Sequence, residues 1–147
     1  MKSILALVAF CVLLSAAYGF NRIEHKNGDD ILSKLEEGSD QIYVILFYAP
    51  KKRGQGQGPN QIDIDEKELT TRILSRYPNF SYAKVNALDP DFQSLVKACG
   101  IVTTELHESP SVLIIEGGVG VWVHGPQTIN KIEEFANEYQ KRVRQSK

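Results

Sequence analysis

The spacing of apolar residues changes several times along the chain, and each change marks an element. Ile4 to Leu14 is an unbroken apolar run of eleven residues. Arg22 to His25 suits a short first strand. Asn27, Asp29 and Asp30 offer N-caps, Ile31, Leu32 and Leu35 follow with helical spacing, and Gly38 supplies a stop. Gln41 to Tyr48 is almost continuously apolar, β-branched and aromatic, which predicts a strand buried on both faces of a parallel sheet. A polar, glycine-rich loop then runs from Pro50 to Asn60. Ile62, Leu69, Ile73 and Leu74 mark a helix that Tyr77-Pro78-Asn79 ends, because the residue before proline disfavours helix.

Phe80 to Val85 alternates like a strand. Asp89 caps the next helix with Pro90 at its first position, and Phe92, Leu95, Val96 and Cys99 form its inner stripe up to Gly100. Val112 to Ile115 and Val119 to His124 are strands joined by a hairpin turn at Glu116-Gly117-Gly118. Gly125-Pro126 breaks the chain. Thr128 is placed to cap a last helix whose inner face carries Ile129, Ile132, Phe135, Ala136 and Tyr139. Lys141 to Lys147 is a basic tail that suits a helix C-terminus and reads as a solvated end. Trp122 and Tyr48 are expected in the core.

The order is strand, helix, strand, helix, strand, helix, hairpin and closing helix, an α/β arrangement with a mixed sheet: a parallel βαβ half, then an antiparallel ββα half. Three local blocks sharpen the picture. Val44–Pro50 (VILFYAP), Ala83–Ile101 (AKVNALDPDFQSLVKACGI) and Ser109–Gly118 (SPSVLIIEGG) occur in that order. Together they resemble the central strand, the strand–helix segment and the cis-proline segment of thioredoxin-like, protein disulfide isomerase-type domains, over roughly residues 22–139. The resemblance implies a thioredoxin-like fold and, at Pro110, the family's cis-proline. The physical prior for cis is low, since only about 5–6% of X-Pro bonds adopt it in folded proteins.

The family places Cys-x-x-Cys just after the proline that matches Pro50. Here the chain reads Lys51, Lys52, Arg53, Gly54, Gln55, Gly56, Gln57, Gly58. Disulfide exchange needs a thiolate nucleophile and a second thiol to resolve the mixed disulfide. No side chain in this loop is a thiol, so thiol redox chemistry at this position is excluded. A second departure is Val102 to Glu108, longer than the family's usual link into the proline. Lys51 to Gly58 together with Leu106, His107, Glu108, Ser109, Pro110 and Ser111 is therefore the expected partner-contact surface, without catalytic residues.

The N-terminus bears on compartment. Met1-Lys2, the apolar run and the small residues Ala17 and Gly19 have the order of a secretory signal peptide cut after Gly19. Residues 4–20 also reach the low end of the length that spans a bilayer, so a retained membrane anchor is the competing reading. The expected organisation is residues 1–19 as signal peptide or anchor and residues 20–147 as the domain. Cleavage would remove Cys11 and leave Cys99 as the sole cysteine, so the domain stands on its packed core without an internal disulfide.

Composition narrows the function classes. Apolar content of 42% and charged content of 24% are ordinary for a globular domain, and a net charge of −1 argues against nucleic acid as the main partner. Cys99, in an apolar stripe, reads as an inert small hydrophobe. His25, His107 and His124 are scattered singly, so no metal and no cofactor is expected. The Gly-Gln-Gly-Gln-Gly loop lacks the ending of a P-loop and reads as a flexible replacement loop. Asn79-Phe80-Ser81 is an N-glycosylation sequon. Three functions fit: a redox-inactive protein-binding module in the secretory pathway; a membrane-anchored accessory subunit, in the endoplasmic reticulum or on the intermembrane-space side of the mitochondrial inner membrane; and, least supported, a monothiol oxidoreductase using Cys99.

Overall fold

The computed structural model describes residues 20–37, 40–52 and 60–145. Five strands form one sheet in the order β1-β3-β2-β4-β5. They are β1 Asn21–Arg22, β2 Ile42–Tyr48, β3 Phe80–Asn86, β4 Ser111–Glu116 and β5 Val119–His124. β1 and β2 run parallel to β3, while β4 runs antiparallel to β2 and β5 antiparallel to β4. This is the mixed sheet expected from the sequence.

β2 lies in the middle because its sequence fits nowhere else. Ile42 to Phe47 are all buried, and their side chains alternate between two cores. Ile42, Val44 and Leu46 face one layer, which holds the helix α2 (Gln61–Glu68) and the closing helix α4 (Thr128–Gln145). Tyr43, Ile45 and Phe47 face the other, which holds α1 (Gly28–Glu36) and α3 (Gln93–Ala98). A strand with a polar face would leave one layer without an apolar floor.

The local signals act at most element ends. Asn27 caps α1, its side chain accepting from the Asp30 N–H at 3.0 Å. The helix ends at Glu36, and Gly38 lies outside the described residues. Asn60 caps α2 by accepting from the Ile62 N–H at 3.3 Å. Asp89 caps a short 3₁₀ turn, Pro90–Phe92, that leads into α3. Gly117 and Gly118 adopt φ of +56° and +78°, the left-handed pair that a two-residue hairpin turn requires.

Several expectations are corrected. β1 is Asn21–Arg22 rather than residues 22–25; after Ile23 donates to the Tyr82 carbonyl, the chain turns away and the His25 ring packs on Phe92 at 5.6 Å. The second helix is not uniform. After Glu68 it widens into a π turn, Leu69–Ile73, and tightens into a 3₁₀ turn, Leu74–Arg76, with the Leu74 N–H donating back to the Leu69 carbonyl. Thr128 lies inside α4 and does not cap it: its hydroxyl donates to the Gly125 carbonyl at 2.6 Å instead of accepting a helix N–H. Tyr48, Trp122 and Phe135 pack against the cores but are only partly buried.

Candidate functional site

The candidate site lies where β2 runs out. Ala49 is buried, Pro50 turns into solvent, and Lys51 and Lys52 are exposed. Arg53, Gly54, Gln55, Gly56, Gln57 and Gly58 lie outside the described residues. Asn60 then starts α2, so the loop is bracketed by β2 and the first turn of that helix.

The segment entering β4 comes to the same end of the sheet, because antiparallel pairing sets Ser111 opposite Phe47. It carries a 3₁₀ turn at Thr103–Glu105. Leu106 is fully buried in the α1/α3 core, so its side chain anchors the segment and offers nothing to a partner. His107 and Glu108 are exposed, Ser109 is half-buried, and Pro110 and Ser111 are buried. The Ser109–Pro110 bond is trans, since no cis peptide occurs among the described residues. This corrects the cis expectation. Trans is favoured before proline by about 0.5–1 kcal/mol, and a strand can begin straight after it.

Two groups near the site were not singled out as such from the sequence. His124 stands opposite Ser111 in the β4–β5 register. Its Nδ1 lies 3.2 Å from the Ser111 hydroxyl and its Nε2 3.5 Å from the Ser109 hydroxyl. One hydroxyl thus holds each ring nitrogen, fixing the end of β5 to the segment that precedes β4. Counting outward from the Gly117-Gly118 turn would have found the Ser111 contact.

The second group ties α2 to the sheet beneath the loop. Glu66 accepts from Lys84 Nζ at 2.6 Å and from the Tyr82 hydroxyl at 3.0 Å. The Lys84 ammonium also sits 5.2 Å from the centre of the Tyr48 ring, at the last residue of β2. Burial and the Glu66 carboxylate push the Tyr82 phenol up, so it remains a donor. One residue earlier, Asp65 is buried and accepts from Gln61 Nε2 at 2.8 Å; burial raises its carboxyl.

Cys99 lies elsewhere. It ends α3 and lines a cleft of about 280 Å³ with Leu32, Leu35, Ile115 and Trp122. Ile115 pairs with Tyr43 near the start of β2, four residues along β4 from Ser111. At about 3.4 Å per residue, that places the cleft well away from the loop after Pro50. Burial pushes the thiol up to about 11. The sulfur is protonated near neutral pH and is partly, not fully, covered. Among the described residues no group of three or more His, Cys, Asp or Glu side chains could hold a metal ion. No helix among them is long and apolar enough to cross a membrane. Asn79 is exposed in the turn before β3, and its side-chain nitrogen donates to Gln140 Oε1 at 3.1 Å.

No family model and no curated protein matches the sequence. Solved structures do match the fold. Thioredoxin f from spinach chloroplast is 16% identical with a TM-score of 0.60, covering 85% of this chain and 90% of its own. Thioredoxin from Trypanosoma brucei brucei is 15% identical with a TM-score of 0.58, covering 85% and 94%. Thioredoxin O2 from Arabidopsis thaliana is 14% identical with a TM-score of 0.57, covering 82% and 94%. At such identities the likeness is one of architecture. Strand order, helix placement and these matches agree: the chain has a thioredoxin-like fold and carries no Cys-x-x-Cys pair.

Proposed function

We propose that this thioredoxin-like domain is redox-inactive and binds a protein partner at the end of β2, within the secretory pathway. One observation carries the reading. The position after Pro50 holds ammonium groups where the fold's oxidoreductases need thiols, and the thiol of Cys99 belongs to a cleft near the other end of the sheet. Neither lysine can attack a disulfide and leave as a sulfur would. Pro50 just past β2, Ile64 in the first turn of α2 and Leu88 just past the end of β3 are exposed apolar residues on the elements that bound the loop, a surface suited to a protein rather than to an ion.

The test has two arms. Insulin reduction by the chain with dithiothreitol should match the chain-free rate, and turnover above it would overturn redox inactivity. A permanently unfolded, carboxymethylated polypeptide should bind the chain and lose binding on Lys51→Glu with Lys52→Glu. Equal binding by that variant would refute the assigned surface.

A second reading keeps residues 1–19 as an anchor and makes the domain an accessory subunit of a membrane complex. It is favoured by the apolar run that joins the fold at Phe20. Intact mass of the native protein separates the two: loss of nineteen residues supports cleavage, and their presence supports the anchor. A monothiol reaction at Cys99 fits worst, because burial keeps its sulfur protonated.

A further inference from the structure

Charge is divided between the two layers at the end of the sheet opposite the candidate site. The starts of β1, β2 and β3 meet there, since Asn21 pairs with Ser81 and Ile42 with Phe80. The hairpin tip lies there too, as Glu116 pairs with Ile42 and with Val119, and Tyr139 donates to the Val119 carbonyl at 3.2 Å. The last turns of α4 therefore end at this pole. Residues 1–19, with their Ile4–Leu14 apolar run, join the fold at the same pole through Phe20, which packs edge-on against Tyr82 at 5.9 Å.

On the α2/α4 side, Arg72, Arg76, Lys141 and Arg144 form a stripe. Glu133 accepts from Arg72 at 2.6 Å and from Arg76 at 2.9 Å, and Glu68 lies 3.4 Å from Arg72. Four cations thus face two carboxylates. Nearest the pole, Lys141 and Arg144, three residues apart on α4, have no ion-pair partner among the described residues. With Arg76, Tyr77, Asn137 and Gln140 they line a groove of about 410 Å³. Of the acidic residues near the pole, Glu36, Glu37 and Asp40 belong to the α1 side of the sheet or the connection leading from it, while Glu116 at the hairpin tip and Glu138 on α4 lie near Tyr139.

We propose that this groove and stripe are a docking surface for the anionic headgroups of a phospholipid bilayer. Phosphodiester groups match the exposed Arg and Lys donors, and the Tyr77, Asn137 and Gln140 side chains provide a polar wall around them. Phe20, to which residues 1–19 are joined in sequence, and the end of α4 lie at the same pole, so a bilayer that holds the apolar run would have its headgroups on the side of Lys141 and Arg144. The surface is separate from the loop after β2 and stands or falls independently of partner binding there.

Co-sedimentation of the full chain with vesicles tests the proposal. Vesicles of phosphatidylcholine alone are compared with vesicles that also contain phosphatidylglycerol; the apolar run contributes to both, so the ratio isolates the charge. Each cation near an anionic surface is worth about fivefold in partitioning, so the native chain should prefer the anionic vesicles by on the order of tenfold or more. Lys141→Glu with Arg144→Glu should abolish the preference, and Lys141→Gln with Arg144→Gln should reduce it. Raised salt should also weaken it. Both substituted side chains are exposed, and an unchanged circular dichroism melt confirms that the fold is kept. Equal partitioning on the two vesicle types, or an unchanged preference in the glutamate variant, would overturn the proposal. So would capture on polyglutamate beads without preference for anionic vesicles, which would assign the groove to an acidic protein instead.

Discussion

Lys84 donates to Glu66 at 2.6 Å and fastens the helix after the vacated loop to the strand beneath it. The pair is partly covered, with side-chain exposures of 31% and 22%, and Glu66 also receives the Tyr82 hydroxyl. Removing the carboxylate leaves an ammonium and a covered phenol short of a partner. Glu66→Ala should therefore cost about 1–3 kcal/mol, the usual penalty for stranding such groups. A melt read by circular dichroism should fall by roughly 5 °C. A Glu66→Ala, Lys84→Met double-mutant cycle should show coupling, and additive losses would mean that the two side chains act independently.

Cys99 gives a pH-dependent signature. Burial raises its thiol from an ordinary value of 9.0 to about 11. Native protein at pH 8 should react with a bulky thiol reagent on the order of a hundredfold more slowly than denatured protein, because the thiolate is scarce and partly covered. The sign for stability follows from linkage. Between about pH 9 and 11 the unfolded thiol ionises while the folded one keeps its proton, so stability falls as pH rises. Cys99→Ala should shallow that decline, and an identical slope in both proteins would count against the burial argument.

Asp65 should be a site of easy stabilisation. Its carboxyl is buried, and burial raises it despite the hydrogen bond from Gln61. Asp65→Asn keeps an oxygen acceptor for Gln61 and removes the charge. The variant should melt higher at pH 7, and the gain should vanish in acid, where the native carboxyl is already neutral. A lower melting temperature at pH 7 would show that the carboxylate has a partner worth more than its desolvation.

Gly120 is constrained by contact rather than by backbone angle. A Cβ there would lie 2.6 Å from the Ile114 carbonyl oxygen and 2.7 Å from Ile115 Cβ, closer than atoms can pack. Gly120→Ala should force β5 away from β4 and cost about 1–3 kcal/mol, measured as a lower denaturant midpoint with an unchanged slope.

The elements that were legible in the sequence are those whose pattern has one physical solution. A seven-residue run such as β2, apolar at nearly every position, can sit only between two cores. Two glycines between alternating stretches can only be a tight hairpin. The thiol-free loop was legible for the same reason, since no other side chain does the work of sulfur. What escaped needed tertiary context. The π turn leaves no mark in the spacing of Leu69, Ile73 and Leu74. Glu66 and Lys84 are eighteen positions apart and look like ordinary surface charges until α2 lies across β3. Pro110 shows the converse: a family expectation pointed to cis, and the chain has the trans bond that elementary energetics favours.

The wide turn at Leu69–Ile73 already holds one residue more than a regular spiral would. It absorbs that extra unit, so that residues before and after it both reach the same core, Ile62 on one side and Leu74 on the other. Deleting Thr70 would let the helix close as a regular spiral with the later side chains on their present faces, whereas deleting a residue from the regular turns of Gln61–Glu68 would swing one part of the helix against the other through about 100°. Leu74 would then turn toward solvent, or Arg76 would leave the carboxylate it shares with Arg72. The same missing codon is thus mild in the wide turn and severe one turn before it.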